Sequence, residues 1–281
     1  TEALMQDNKA LQAGTSHNLG QNFAKVFELQ FQGRSGEIEF AWNTSWGVST
    51  RLIGGLIMTH SDDDGLVVPP RLATVHAVIV PIYKNDEEKA TVMAAADRIF
   101  ADLKKAGVRM KLDDRDGMSP GAKYYEWELK GACLRIEIGP KDVSNNTVVV
   151  VPRVELAGEE APKPGRKQKL FVDQAGLAER VHGLLDALQN QLLQNAIDRR
   201  EKASHRGITS YDEVKRLIDE DAGFIYAGWC GMAECETKVK DETKATVRCI
   251  PSEEFRSPAK PEKCVVCGMD AKHEVVWSKA Y

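Results

Sequence analysis

The sequence predicts a multidomain chain that combines α/β and α+β pieces, and three observations carry that expectation. Between residues 75 and 153, apolar runs of strand length alternate with helical stripes, which argues a three-layer α/β domain on a mostly parallel sheet. Before it lies a stretch rich in Gly, Thr, Ser, His and Trp, with short alternating segments. After it, a long helical stripe leads into a tail with paired cysteines, the pattern of a small α+β metal-binding domain. The expected divisions are residues 1–72, 73–173 and 174–281, and a chain of 281 residues has room for them.

Each element has a local reason. Glu37-Ile38-Glu39-Phe40-Ala41-Trp42 alternates polar and apolar, so a strand with one buried face is expected. Thr50 to Met58 is an apolar run interrupted by Gly54 and Gly55, which weaken a helix but permit its close packing on a sheet. Pro69-Pro70 then stops regular structure. Ala77 to Ile82 is continuously apolar, as for a strand buried on both faces. From Asp86 to Lys105, Val92, Ala96, Ile99, Phe100 and Leu103 recur at helical spacing, and Gly107 ends the helix. A strand at 108–112, a helix at 119–130 and strands at 134–138 and 147–151 follow. Residues 155–172 read as a polar excursion. Leu177, Val181, Leu184, Leu185, Leu188, Leu192 and Ala196 form the stripe of a long helix whose charged end, Arg199 to Arg206, is expected in solvent. Ser210 and Glu213 form a capping-box pattern at the next helix start.

Composition narrows the function classes. Hydrophobic residues at 42% and charged residues at 28% are a globular balance. No apolar run reaches the roughly 18 residues that a transmembrane helix needs. The start, Thr1 to Asp7, lacks both a signal-peptide pattern and an initiator methionine, so the chain reads as cut from something longer. A net charge of −4 does not favour nucleic-acid binding by the body as a whole, so any RNA site is expected as a local patch.

The cysteines carry the clearest chemistry. Four residues separate Cys230 from Cys235 and two separate Cys264 from Cys267, each a knuckle for one ion. Together they complete a tetrahedral thiolate shell with no open position, so structural Zn2+ is expected. Gly231 and Gly268 follow the first and last of them, where a tight turn is needed. Cys133 and Cys249 sit in apolar strand-like runs and are expected as core residues. Cysteines in metal spacing, without a secretory signal, point to a reducing cytosol. His60 with Asp62, Asp63 and Asp64 is expected to be a solvated turn rather than a second metal site.

Three further segments resemble a known family. Gln12-Ala13-Gly14-Thr15-Ser16-His17 with Leu19 to Phe23 is similar to the proline-binding segment of prolyl-tRNA synthetases, and Thr44 to Arg51 resembles their third class II motif. Gly65 to Arg71 looks like the exit from that catalytic domain. The cysteine tail and terminal Lys279-Ala280-Tyr281 resemble the archaeal and eukaryote-like branch. The resemblance implies the end of a class II antiparallel-sheet catalytic domain, an α/β anticodon-binding domain and a zinc-binding C-terminal domain.

It also implies site residues. Gln12, Thr15, Ser49 and Arg51 would contact ATP, with Gln12 near its Mg2+. A planar, always-charged arginine suits phosphate and can stack on adenine. His17, Trp46 and Gly47 would surround proline. Tyr124, Glu128, Arg135, Lys141 and Asp142 would read the two guanines that prolyl anticodons share, since guanine presents a donor edge for a carboxylate and acceptors for an arginine fork. Taken alone, Ser49 would be a helix cap, Asp142 a turn residue, and Glu128 with Arg135 a surface ion pair. In this branch the chain end folds back toward the catalytic domain, so Tyr281 is expected to help order it.

The implied activity is ligation of proline to tRNA(Pro) with ATP, by a cytoplasmic homodimer with no membrane or DNA partner. Two class II motifs would lie upstream of Thr1, so this stretch is expected to be inactive alone. The alternative is a non-catalytic tRNA-binding fragment or paralogue with structural zinc. The retained Gln12–His17 and Thr44–Arg51 segments favour the enzyme, because a pure binder has no use for them.

Overall fold

The structure is a computed structural model that describes residues 1–281. The chain folds as two compact units, Thr1–Thr59 with Arg199–Tyr281, and His60–Asp198. These units follow space rather than chain order, so the first and last of the sequence segments share one of them.

The N-terminal stretch is a set of ribbons. β1 (Glu2–Leu4) pairs with β2 (Ala10–Gln12), β3 (Thr15–Gly20) with β6 (Asn43–Gly47), and β4 (Gln30–Gln32) with β5 (Ile38–Phe40), all antiparallel. A short helix, α1 (Asn22–Val26), lies between β3 and β4 in sequence, and α2 (Arg51–His60) follows β6. Gly55 is the buried residue of α2, and a Cβ there would come within 2.9 Å of Leu11 Cδ2, so the glycine permits close approach of helix to ribbon. The buried face expected for β5 is not buried: Ile38 is 64% and Trp42 71% exposed. Alternation specifies which side chains share a face but not what covers them.

The second unit is built on a five-stranded sheet. It contains β7 (Ala77–Pro81), α3 (Asp86–Lys105), β8 (Met110–Leu112), α4 (Pro120–Leu129), β9 (Leu134–Ile138), α5 (Pro140–Ser144), β10 (Thr147–Pro152), β11 (Leu170–Asp173) and most of α6 (Leu177–Lys202). Sheet order is β11-β10-β9-β7-β8. The sheet is mixed, not mostly parallel: β7 pairs parallel with β8 and β9, while β10 pairs antiparallel with β9 and β11. A parallel return needs a crossover of about a dozen residues or more. The link from β9 to β10 holds only the five-residue α5, so the chain turns straight back.

Helix α3 starts where Asn85 Oδ1 accepts the Glu88 amide at 2.9 Å, and its stripe buries Val92, Ala96, Ile99 and Leu103. That stripe joins Ile79, Ile136 and Val150 of the sheet and Leu184 and Leu188 of α6 in one core. Serine 119 caps α4 by accepting the Ala122 amide.

The C-terminal part of the first unit is a four-stranded sheet in the order β12 (Ser204–Ile208), β13 (Phe224–Trp229), β15 (His273–Ser278), β14 (Thr246–Cys249). Helices α7 (Tyr211–Asp219) and α8 (Ala233–Thr243) pack with it around Val214, Ile225, Val239 and the fully buried Trp277. Ser210 sits at the start of α7, but its side chain makes no capping hydrogen bond. The charged end of α6 runs only partly into solvent: Glu201 and Lys202 are exposed, but the arginines are half-buried against the fold. Arg199 donates to the Thr59 carbonyl at 2.9 Å, Arg200 lies over the Phe255 ring at 4.9 Å and Arg206 over Tyr226 at 4.8 Å. Arginine stems and planar heads cover aromatic faces while remaining charged.

Candidate functional sites

The first site lies on the α4 side of the second unit's sheet. Period-two alternation sends Leu134, Ile136 and Ile138 of β9 into the main core, and Arg135 and Glu137 to the opposite face. There Arg135 Nη1 donates to Glu128 Oε1 of α4 at 2.6 Å, and its guanidinium lies 3.9 Å from the Tyr124 ring centroid. Tyr124 and Glu128 are one helical turn apart, so they share a face of α4. Burial pushes the Tyr124 phenol up to about 12, so it meets Arg135 as a neutral ring. Tyr124, Glu128 and Arg135 therefore form one constellation. Lys141 and Asp142 stand apart on α5, with no hydrogen bond or ion pair to that trio. Asp142 accepts the Gly139 amide at 2.8 Å and caps α5, while Lys141 is exposed.

Sequence reasoning missed the residues behind this face. Glu137 is 5% exposed and lies between Arg135 and Lys169 Nζ, the latter at 2.9 Å. Asp113, following β8, is equally buried. It accepts from Arg115 Nε at 2.8 Å and Trp127 Nε1 at 2.8 Å, and its carbonyl accepts from buried Lys123 at 3.0 Å. The Arg115 guanidinium brings the Asp113 carboxyl down to about 2. Two residues of α4, Lys123 and Trp127, are thus tied to the end of β8, which fixes the helix that carries Tyr124 and Glu128. A signal existed in sequence: Lys123 and Trp127 are four apart, which puts them on one face of the helix.

Residues 60–65 form a turn pinned by ion pairs. Arg153 holds the Asp62 carboxylate, with Nη1 to Oδ2 at 2.8 Å, and this contact lowers the Asp62 pKa. Lys167 pairs with Asp64. Both carboxylates thus have cationic partners.

The second site is on the ribbons of the first unit. Arg51, at the start of α2, has its Nη1 3.4 Å from both the Oε1 and the backbone oxygen of Gln12. Ser49 Oγ accepts the Arg51 amide at 3.3 Å, so the cap reading of Ser49 and its place beside Arg51 coexist. Across the β3–β6 ribbon Thr15 faces Gly47, Ser16 faces Trp46 and His17 faces Ser45, with His17 Nδ1 3.2 Å from Ser45 Oγ. Directly opposed residues share a face, so Thr15, His17 and Gly47 lie on one side and Trp46 on the other. Trp46 is 79% exposed and is not brought to His17.

The chain end reaches the same unit's β1–β2 ribbon. Ala280 bridges to Ala10, the Ala10 amide donates to the Lys279 carbonyl at 2.9 Å, and Lys9 lies over the Tyr281 ring at 5.5 Å. Burial and a hydrogen bond to Asp7 raise the Tyr281 hydroxyl to about 12.

The third site is the cysteine cluster. The sulfurs of Cys230, Cys235, Cys264 and Cys267 all lie within 4.8 Å of one another, with Cys230 to Cys235 at 3.6 Å and Cys230 to Cys267 at 3.8 Å. A tetrahedral shell with metal–sulfur bonds of about 2.3 Å has sulfurs about 3.8 Å apart, so the donor set fits zinc. Gly231 and Gly268 have φ of +86° and +74°, the left-handed turns that the knuckles need. Burial works to raise the Cys264 thiol, but amides of Cys267, Val266 and Cys230 outweigh it and bring it down to about 7. Cys133 and Cys249 lie outside the cluster, and burial raises both, Cys133 to about 12.

Known proteins match along the whole chain. Residues 76–176 match the family described as anticodon binding domain, and residues 211–281 match the prolyl-tRNA synthetase C-terminal family. A proline–tRNA ligase of Chloroflexus aurantiacus is 51% identical over 280 residues, covering 100% of this chain and 55% of that protein. One of Bacteroides fragilis is 46% identical over 281 residues, covering 100% and 54%. The crystal structure of Cryptosporidium parvum prolyl-tRNA synthetase, complexed with halofuginone and AMPPNP, aligns with a TM-score of 0.88 at 36% identity. That alignment covers 100% of this chain and 56% of the other. The chain thus spans about half the length of the relatives it matches. Residues 76–176 thus match an anticodon-binding domain and residues 211–281 the prolyl-tRNA synthetase C-terminal family, and along its whole length the chain is similar to about half of a prolyl-tRNA synthetase.

Proposed function

We propose that this chain is the C-terminal portion of a proline–tRNA ligase, which joins proline to tRNA(Pro) at the expense of ATP and releases AMP and pyrophosphate. The observation that carries the reading is the Tyr124–Glu128–Arg135 constellation within the anticodon-binding domain. A ring for stacking, a carboxylate to accept from a base edge and an arginine fork are the groups that unstacked guanines require. Lys141 and Asp142, one element further along, would meet a neighbouring nucleotide.

In the activation step charge concentrates on phosphate, so a cation placed beforehand lowers the barrier. Arg51, beside Gln12, supplies that cation, and Ser49 and Thr15 add hydroxyls; Mg2+ enters with ATP. His17 and Gly47 belong to the proline end, with Trp46 on the other ribbon face. The four thiolates would hold structural Zn2+ that fixes the tail whose end bridges to Ala10. Homodimer formation, cytoplasmic residence and the division at residues 72 and 173 belong to this same reading. No helix is long and apolar enough to cross a membrane.

The test uses the full-length enzyme. Arg135→Ala is expected to lower kcat/KM for tRNA(Pro) while leaving proline-dependent ATP–pyrophosphate exchange unchanged. Equal loss of both activities would overturn the assignment of Arg135 to the anticodon. This 281-residue stretch alone is expected to show no pyrophosphate exchange, and measurable exchange would refute that.

A further inference from the structure

Two charged side chains occupy places where a sheet is ordinarily apolar. Arg135 is flanked across the sheet by Val78 and Val151, and Glu137 by Val80 and Val149. Arg135 is 7% and Glu137 5% exposed. An apolar pair of similar volume would serve stability at least as well, because desolvating two ions offsets most of their attraction. Stability therefore does not account for them, and Arg135 already has an ion-pair partner in Glu128.

The geometry shows what Glu137 adds. Its Oε1 accepts from Arg135 Nε at 3.1 Å and lies 3.0 Å from Nη2, so one edge of the guanidinium is held by a carboxylate. Lys169 Nζ occupies Oε2 at 2.9 Å, which keeps the carboxylate from rotating away. With that edge fixed, the guanidinium carbon sits 3.9 Å from the Tyr124 ring centroid and Nη1 donates to Glu128. Without Glu137, Nε and Nη2 lose their carboxylate and the guanidinium is free to turn about its Nη1 contact with Glu128.

We propose that Glu137 is a positioning residue for anticodon recognition: it sets the rotation of the Arg135 guanidinium and thereby the orientation in which the Arg135–Glu128 pair meets the bases. The inference rests on the anticodon reading of Arg135, so the experiment separates the two. An unmodified proline-tRNA anticodon stem–loop and the same loop with both guanines changed are titrated at fixed salt against the wild-type chain, Glu137→Gln and Arg135→Ala. Glu137→Gln, of the same shape without the charge, is expected to reduce the preference for the guanine loop roughly tenfold. Affinity for the changed loop should stay within about twofold and the salt dependence should not move, because phosphate contacts are untouched. A merely structural role would weaken both loops alike.

If Arg135→Ala abolishes the preference and Glu137→Gln leaves it intact, the positioning role is wrong and the anticodon reading stands. If the wild type has no preference, the anticodon reading itself fails. Melting curves report whether Glu137→Gln folds. Should it not, Glu137→Asp draws the carboxylate back by one methylene and is expected to lower the preference, and an unchanged preference overturns the proposal. In the wild-type chain the Arg135 Nε–H resonance should be slow to exchange, and fast exchange would contradict a locked edge.

Discussion

On the sheet of the second unit Arg135 is 7% exposed and engages two carboxylates and a ring, whereas on the ribbons of the first Trp46 is 79% exposed and His17 contacts only a serine hydroxyl at 3.2 Å. Both sets of residues resemble functional positions of one family, yet their physical states differ. Groups held by buried partners keep their geometry before a ligand arrives, which favours discrimination. Exposed groups acquire a geometry only from what later covers them. Specific RNA reading by this chain is therefore expected, and amino-acid activation by it is not.

The largest test of that contrast concerns the cysteines. A chelator, or Cys264→Ser, should remove metal-binding free energy on the order of 10 kcal/mol and abolish the melting transition reported by Trp277 and Trp229. Stem–loop discrimination measured on the same sample should persist, because Arg135 and its partners lie in the other unit. Loss of discrimination on chelation would break the comparison.

Asp113→Asn comes next. It leaves Arg115 and Trp127 with a weaker buried partner and should cost about 2–3 kcal/mol in chemical denaturation. The same carboxylate predicts a pH dependence. Its folded pKa, about 2, lies below the ordinary value of 3.8, so its contribution is present in full above about pH 4 and fades as pH falls toward 2. That contribution is about 2 kcal/mol, and acid titration of stability should show it in the wild type and not in Asp113→Asn.

Ser119→Ala removes the cap of α4 and should cost about 1 kcal/mol, with a smaller loss of stem–loop affinity, since α4 carries Tyr124 and Glu128. Smallest of all, Trp46→Ala should change the stability of this chain by less than about 0.5 kcal/mol. A cost above about 1 kcal/mol would mean that the ribbon is more tightly built than its exposure implies.

What was legible in the sequence follows the range of the interaction. Helix α3 could be read to its end residues, because its stripe and Gly107 are local; the cap at Asn85 is equally local but entered only with the structure. The cysteine cluster was legible because two short spacings and two glycines suffice to make its knuckles. Tyr124, Glu128 and Arg135 were named as a group by resemblance, and the fold brings them together. The residues behind them were not legible. Glu137 meets Lys169 across 32 positions, and Asp113 meets Trp127 across 14, on pairings that only the assembled sheet creates. Strand direction failed for a related reason: alternating strands and helices suggest parallel pairing, but the shortness of α5 reverses β10. Ser210 shows the limit of local motifs, since its capping pattern is present and its side chain is not used.

The central claim is that a guanine-reading face is complete within this chain. Its most direct test is binding of the unmodified proline-tRNA anticodon stem–loop, at fixed salt, against the same loop with both guanines changed. The account predicts preference for the guanine loop by roughly 1–3 kcal/mol, removed by Arg135→Ala. Equal binding of the two loops by the wild-type chain would contradict it.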